Sequence, residues 1–147
     1  MAVYSGGART TNAPTSTLPG ISLYATAAVN FSILEIGISN STAVACVVGL
    51  CRLTSAGTQG SGITEATLGQ GGVAATCTMV QSHTSTGPTL VDLGYRWNLG
   101  AQIGSGVIWT FQNGELEVML GTGNGVGVFC PTGTGQIVDV YMKWYEG

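Results

Sequence analysis

The chain has 147 residues, enough for one domain with a sizeable core. Only 7% of them are Asp, Glu, Lys or Arg, and the net charge is −3, against about 25% charged residues in an ordinary soluble domain. The four cations, Arg9, Arg52, Arg96 and Lys143, are scattered, which excludes the clustered basic surface that neutralises phosphates, so no direct nucleic-acid binding is expected.

Residues 1–20 are Gly, Ser, Thr, Ala, Asn and Pro with little apolar content. This composition predicts an extended N-terminal arm, one that stays outside the core or lies along a neighbouring subunit. The opening lacks a basic start followed by an apolar run, so no secretory leader is expected. The stretch Ile21 to Ile38 is broken by Asn30 and Glu35, so no membrane span is expected either. The chain is therefore expected to be made in a cytoplasm.

From residue 21 onward the pattern is that of one β domain, 21–147. Residues 21–29 fit a first strand. Residues 31–39 fit a second, with Leu34, Ile36 and Ile38 on one face. Asn40-Ser41 turns the chain. Residues 42–54 read as a strand apolar on both faces, which places it centrally or under a cover. Residues 55–72 read as a long polar loop with a short element around Ile63 to Leu68, a natural binding surface. Val73 to Val80 and Leu90 to Leu99 read as strands. Val107, Trp109 and Phe111 alternate with Ile108, Thr110 and Gln112, and Asn113-Gly114 then signals a hairpin into Leu116–Leu120. Val126 to Cys130 is a short strand. The last segment, Gln136 to Glu146, alternates cleanly: Val138, Val140, Met142 and Trp144 on one face, Asp139, Tyr141, Lys143 and Tyr145 on the other. About eight strands with no helical stripe predict an all-β fold: a jelly-roll-like antiparallel β-sandwich.

No catalytic constellation stands out. Glu115 and Glu117 follow a turn, where solvated charges normally lie. Asp92 and Asp139 are placed to pair with Arg96 or Lys143. His83, the only histidine, lies in a polar stretch and reads as a solvated loop residue, without a nucleophile elbow. The glycine runs lack the lysine and helix of a phosphate loop and read as turns. Trp97, Trp109, Trp144 and Phe111 read as core. The spacing of Cys46, Cys51, Cys77 and Cys130 fits no metal site, so neither a metal nor another cofactor is expected, and the chain reads as a non-enzyme. Four buried free thiols is the plain reading of the cysteines. The sharper one is an inter-subunit disulfide, with Cys51 and Cys130, each near the end of an apolar run, as candidates. Tyr4 and Arg9 in the arm, and Tyr141 and Tyr145 on the polar face of the last strand, are the candidate interface residues.

The chain resembles the small head-decoration, or capsid-cementing, proteins of tailed bacteriophages. The resemblance rests on the Gly/Ser/Thr/Pro-rich N-terminal segment, the run Val47-Val-Gly-Leu-Cys-Arg-Leu-Thr-Ser-Ala-Gly-Thr-Gln-Gly60, the run Leu99-Gly-Ala-Gln-Ile-Gly-Ser-Gly-Val-Ile-Trp-Thr-Phe111, and the ending Pro131-Thr-Gly-Thr-Gly-Gln-Ile-Val-Asp-Val-Tyr-Met-Lys-Trp144. It implies a jelly-roll subunit that forms homotrimers and binds the major capsid protein on the outer surface of the virion, reinforcing the expanded shell. It carries no active site and no rule for the cysteines. The alternative reading is a carbohydrate-binding β-sandwich of a phage tail or cell-surface protein, with Tyr141 and Tyr145 as its aromatic platform.

Overall fold

The computed structural model describes residues 2–147, and among them it has twelve strands and no helix. In chain order these are β1 (Ala2–Arg9), β2 (Ile21–Tyr24), β3 (Phe31–Asn40), β4 (Cys46–Leu53), β5 (Gly62–Ile63), β6 (Ala66–Thr67), β7 (Thr78–Gln81), β8 (Leu90–Leu99), β9 (Gly106–Thr110), β10 (Leu116–Val118), β11 (Gly125–Phe129) and β12 (Val138–Glu146). Antiparallel pairs organise the chain: β1 with β12, β2 with β11, β3 with β9 and β10, and β4 with β8. The pairs nest. The chain runs out through β1 to β4 and returns through β8 to β12, and successive pairs alternate between two sheets. Sheet I has the order β10-β3-β12-β1-β6, with β9 also on β3. Sheet II has the order β5-β7-β2-β11-β4-β8. The two packed antiparallel sheets form a β-sandwich, as the strand pattern predicts.

The main core lies between the sheets. Val138, Val140, Met142 and Trp144 project from β12 onto Ile36 and Ile38 of β3, Val48 and Leu50 of β4, and Val126 and Val128 of β11. Burying side chains of this size contributes about 1.5–3 kcal/mol each. The predicted alternation of the last strand is the observed one. Its end is held by a buried carboxylate: Glu146 accepts from the Trp144 indole N–H at 3.2 Å and from the backbone N–H groups of Thr76 and Cys77, each at 2.9 Å for the nearer oxygen. This ties the stretch before β7 across the sandwich.

In β3, Phe31 and Ile33 are buried, and so are Ile36 and Ile38. The first pair has odd numbers and the second even, which a regular strand cannot place on one face. The register slips at this point: Lys143 pairs with Glu35, but Trp144 pairs with Ile33. Leu34 is thus the extra residue of a β-bulge, and the bulge returns both halves of the strand to the core. The expected face of Leu34, Ile36 and Ile38 holds for the last two only.

Several expectations are corrected. Residues 2–9 are not an arm: β1 pairs with β12 from Ala2↔Glu146 to Arg9↔Asp139 and lies inside sheet I. Residues 10–20 then cross to sheet II, where Gly20 N–H bonds to Val128 O. The Asn113-Gly114 turn does not make a hairpin. Glu115 N–H closes a turn on Gln112 O, and Gly114 takes the positive φ of 87°. Yet β9 and β10 both pair with β3 in the same direction. The turn is an excursion within one interrupted strand, anchored by Phe111 N–H on Leu34 O. The strand expected over Val73 to Val80 is confined to Thr78–Gln81, with Val73 exposed. Trp97 is 51% exposed, because β8 is the edge of sheet II.

Candidate functional site

The two sheets differ in what covers their outer faces. Over sheet II, the segments around residues 10–20, 54–60 and 82–88 close a second apolar cluster of Tyr24, Cys51, Leu53, Val80 and Phe129. Every residue of β11 is buried as a result. His83 lies in this cover and is buried, not solvated: its N–H bonds to Pro19 O, and its Nε2 lies 3.1 Å from Ser22 Oγ and 3.4 Å from the Tyr24 hydroxyl. Burial lowers its pKa and raises those of Tyr24 and Cys51, the latter to about 12. All three groups are enclosed by the cover, and the raised pKa keeps the Cys51 thiol protonated.

The same cover corrects the expectation for the cysteines. Cys51 points away from the main core, as an outward-facing residue should, but the segments above it leave it 0% exposed, and its thiol donates to Gly127 O at 3.5 Å. Cys130 is buried too, with its thiol 3.1 Å from Thr132 O. All four cysteines are free thiols. An inter-subunit disulfide through Cys51 or Cys130 would require the buried thiol to be uncovered first.

The outer face of sheet I is open. Strand register sets its side chains in rows across β1, β12, β3 and β9: Arg9, Asp139, Ser39, Gly106; then Gly7, Tyr141, Gly37, Ile108; then Ser5, Lys143, Glu35, Thr110. Tyr141 thus stands between two glycines. A Cβ on Gly37 would collide with the Tyr141 ring, and one on Gly7 would stand 2.6 Å from Val140 O. The ring lies down over Gly37, and its hydroxyl donates to Glu35 Oε2 at 2.7 Å, which pushes the phenol pKa up to about 12. Gly7, Gly104 and Gly106 leave a trough of about 790 Å³ walled by Ile108 and by the Tyr141 ring that covers Gly37. Glycine in a strand interior is destabilising unless something approaches the backbone closely.

One rim of the trough is charged. Arg9 grips Asp139 with two bonds of 2.9 and 3.0 Å, which holds the Asp139 carboxyl below its ordinary range. Of the candidate interface residues, Arg9 and Tyr141 meet at this trough. Tyr145 lies further along β12 in a separate hollow of about 210 Å³ with Asn30 and Glu117. Tyr4 does not belong to the surface. It is buried, stacks on Trp144 with ring centroids 6.1 Å apart, and donates to Val73 O at 3.0 Å. The reason is strand parity: once residues 2–9 form β1, Tyr4 and Arg9 point to opposite faces. Gly7, Gly37 and Gly106 were missed by sequence reasoning, since a glycine in a turn and a glycine beneath a neighbour's ring look alike in sequence. Ile108 was placed on a strand face but not at a site.

The predicted pairing of Asp92 with Arg96 is present at 2.7 Å, whereas Asp139 takes Arg9 in place of Lys143. Glu117 accepts from Asn30 Nδ2 at 2.7 Å at the surface. Among the described residues no group of three or more His, Cys, Asp or Glu is arranged to hold a metal ion. The trough can bury apolar surface and align a partner through one ion pair and one phenol–carboxylate bond. Compared with known protein families, with curated proteins and with solved structures, the chain matches none.

Proposed function

We propose that this protein is a structural virion protein that binds the outer surface of a bacteriophage capsid through the major capsid protein, as a homotrimer, and stabilises the shell. The observation that carries this reading is the asymmetry of the sandwich: the chain's own loops cover much of sheet II, while the outer face of sheet I is open, with exposed backbone at Gly7 and Gly106 beside the Tyr141 ring that lies over Gly37. Exposed strand backbone lets a partner come close, which suits a permanent contact better than a passing one. The nested pairing of β1 to β4 with β8 to β12 supports the jelly-roll form of the fold. Low charge keeps the desolvation cost of such contacts small, and weak contacts repeated over a symmetric shell add through multivalency.

The test is co-sedimentation with expanded capsids that lack the protein, together with the native mass by light scattering. A trimer retained at a saturating, symmetric stoichiometry is the expected result. Ile108→Lys, which plants a charge in the trough, is expected to weaken retention on the order of tenfold without unfolding the chain. A monomer with no capsid affinity overturns the proposal.

A second reading is carbohydrate binding. It is favoured by Tyr141, which is 38% exposed and flanked by Arg9, Asp139 and Glu35, the polar groups a sugar would need beside a stacking surface. Selective binding on a glycan array, abolished by Tyr141→Ala, would replace the capsid reading with this one.

A further inference from the structure

Two asparagines of the chain are followed by glycine, in Asn113-Gly114 and Asn124-Gly125. In this dipeptide the glycine has no Cβ to shield its backbone nitrogen, so that nitrogen is open to the side-chain amide before it. The fold holds the two dipeptides very differently. Asn124 is tied down at its carbonyl, its N–H and its side chain. Its carbonyl accepts from Ala25 N–H at 2.8 Å, its N–H donates to Gly121 O at 3.2 Å, and its Nδ2 donates to Met119 O and Leu120 O at 3.4 Å each. Gly125 is buried in β11, paired with Tyr24 of β2 and Leu53 of β4. Asn113 and Gly114 are both exposed, at the tip of the excursion between β9 and β10. Their turn is closed from outside the dipeptide: Glu115 N–H donates to Gln112 O at 3.0 Å, and Gln112 N–H donates to Glu115 Oε2 at 2.8 Å. Among the described residues, the Asn113 carbonyl, the Asn113 side-chain amide and the Gly114 N–H take part in no hydrogen bond. A Cβ on Gly114 would meet nothing within 4 Å, so the space around this nitrogen is open.

We propose that Asn113 is a self-modification site, converted to aspartate and isoaspartate through a cyclic imide, and that the fold protects Asn124 from the same reaction. The peptide unit between Asn113 and Gly114 can rotate without breaking a hydrogen bond, which lets the Gly114 nitrogen reach Asn113 Cγ. The N–Cγ bond forms, the Gly114 N–H proton is lost, and the Cγ–Nδ2 bond breaks to release ammonia. Water then opens the ring. Addition at Cγ yields aspartate, and addition at the Asn113 main-chain carbonyl yields isoaspartate, whose backbone runs through Cβ and Cγ. Water is the only other reactant, and base speeds ring closure because the glycine nitrogen attacks as its anion. The same step at Asn124 would first have to break the bond from Ala25 and draw Gly125 out of sheet II. Either product adds one negative charge beside Glu115 and Glu117, at the hollow that Asn113 shares with Asn30, Glu117 and Tyr145. Isoaspartate also adds one backbone atom to the excursion, between two flanks that β3 holds in fixed register. The site does not depend on the capsid reading.

The test is peptide mapping by mass spectrometry after incubation of the folded protein in mildly alkaline heavy-oxygen water. Cleavage after Glu115 and Glu117 puts the two asparagines on separate peptides. The Asn113 peptide is expected to gain the heavy oxygen and to split into aspartate and isoaspartate forms. The Asn124 peptide is expected to react slower by on the order of tenfold or more, since it waits on opening of the strand. In guanidinium chloride, where the fold no longer distinguishes them, the two sites are expected to react at similar rates. Asn113→Gln, whose ring would be one atom larger, is expected to leave the first peptide unlabelled, with a near-ultraviolet circular dichroism spectrum like wild type. A synthetic peptide of residues 108–118 sets the rate of the free dipeptide. An Asn113 that stays intact in the folded protein while this peptide reacts overturns the proposal. So does an Asn124 that reacts as fast as Asn113 in the folded protein.

Discussion

At His83 the imidazole is enclosed by the cover of sheet II, with Nε2 between Ser22 Oγ and Tyr24 Oη and with Nδ1 buried against no partner. A neutral ring tolerates this, whereas a protonated ring would bury a charge with an unpaired donor. Burial accordingly lowers the pKa from its ordinary 6.5. The folded state then binds a proton less readily than the unfolded chain, so the stability that His83 supports is complete above the ordinary value and is lost as pH falls through and below it. The urea midpoint of the wild type is expected to drop between about pH 7.5 and about pH 5. His83→Gln, which keeps an amide toward Ser22 and does not titrate, is expected to lose much of that slope. Parallel slopes for the two proteins would show that other groups carry the acid sensitivity. Sequence placed His83 in a polar loop, and it does lie outside any strand. Its burial was not legible, because it depends on Pro19, Ser22 and Tyr24, all about sixty residues earlier, and the polar character of the loop comes from neighbours such as Thr84 and Ser85 that are exposed.

Among the elements, β3 and β12 show where alternation is a sufficient guide. In β12 nothing interrupts the two-residue period, and its buried face could be read directly from Val138, Val140, Met142 and Trp144. In β3 the period breaks at Leu34, and the local sequence Ile33-Leu34-Glu35-Ile36 offers two apolar phases with no signal to choose between them. The partner strand chooses: Trp144 needs Ile33 beside it, and Met142 needs Ile36. Deleting Leu34 would remove the extra residue and bring Phe31, Ile33, Ile36 and Ile38 into one regular alternation that faces the core, with Ile33 and Glu35 still opposite Trp144 and Lys143. The shortened chain is therefore expected to keep its cooperative urea transition, as is Leu34→Ala. A deletion variant that no longer unfolds cooperatively would show that the bulge does more than reset the phase of the strand. The Asn113-Gly114 turn failed for a related reason. The dipeptide does specify a tight turn, but whether a turn reverses the chain depends on the strand beside it, and here β3 takes up both flanks in one direction.

For the whole molecule, the ends of the chain are its most consequential contact. Ala2 pairs with Glu146, so the β1–β12 ladder closes a loop of nearly the full chain. Such a contact carries the largest loop-closure entropy in the fold. The composition of β1, Ala-Val-Tyr-Ser-Gly-Gly-Ala-Arg, conceals this. Its inner face needs little apolar bulk because neighbours supply it: Met79 and Trp144 fill the space where a Cβ on Gly6 would stand, and Tyr4 stacks on Trp144. Removing residues 1–9 therefore separates an arm from a strand. An arm could be deleted without effect on the isolated subunit. Deleting β1 would leave β12 with one free edge, bare the Trp144 ring and release Tyr4's contacts, at a cost on the order of 5 kcal/mol or more from the apolar area and ladder bonds lost. The truncated protein is expected to show no cooperative unfolding at ordinary temperature and to expose Trp144, read as a red-shifted tryptophan emission in the absence of denaturant. Restoring the strand as a separate peptide of residues 1–9 is expected to bring the blue-shifted emission back, because pairing with β12 recovers the lost contacts and draws the chain to its folded state. A truncated chain with wild-type emission and midpoint would return residues 1–9 to the role of a dispensable arm.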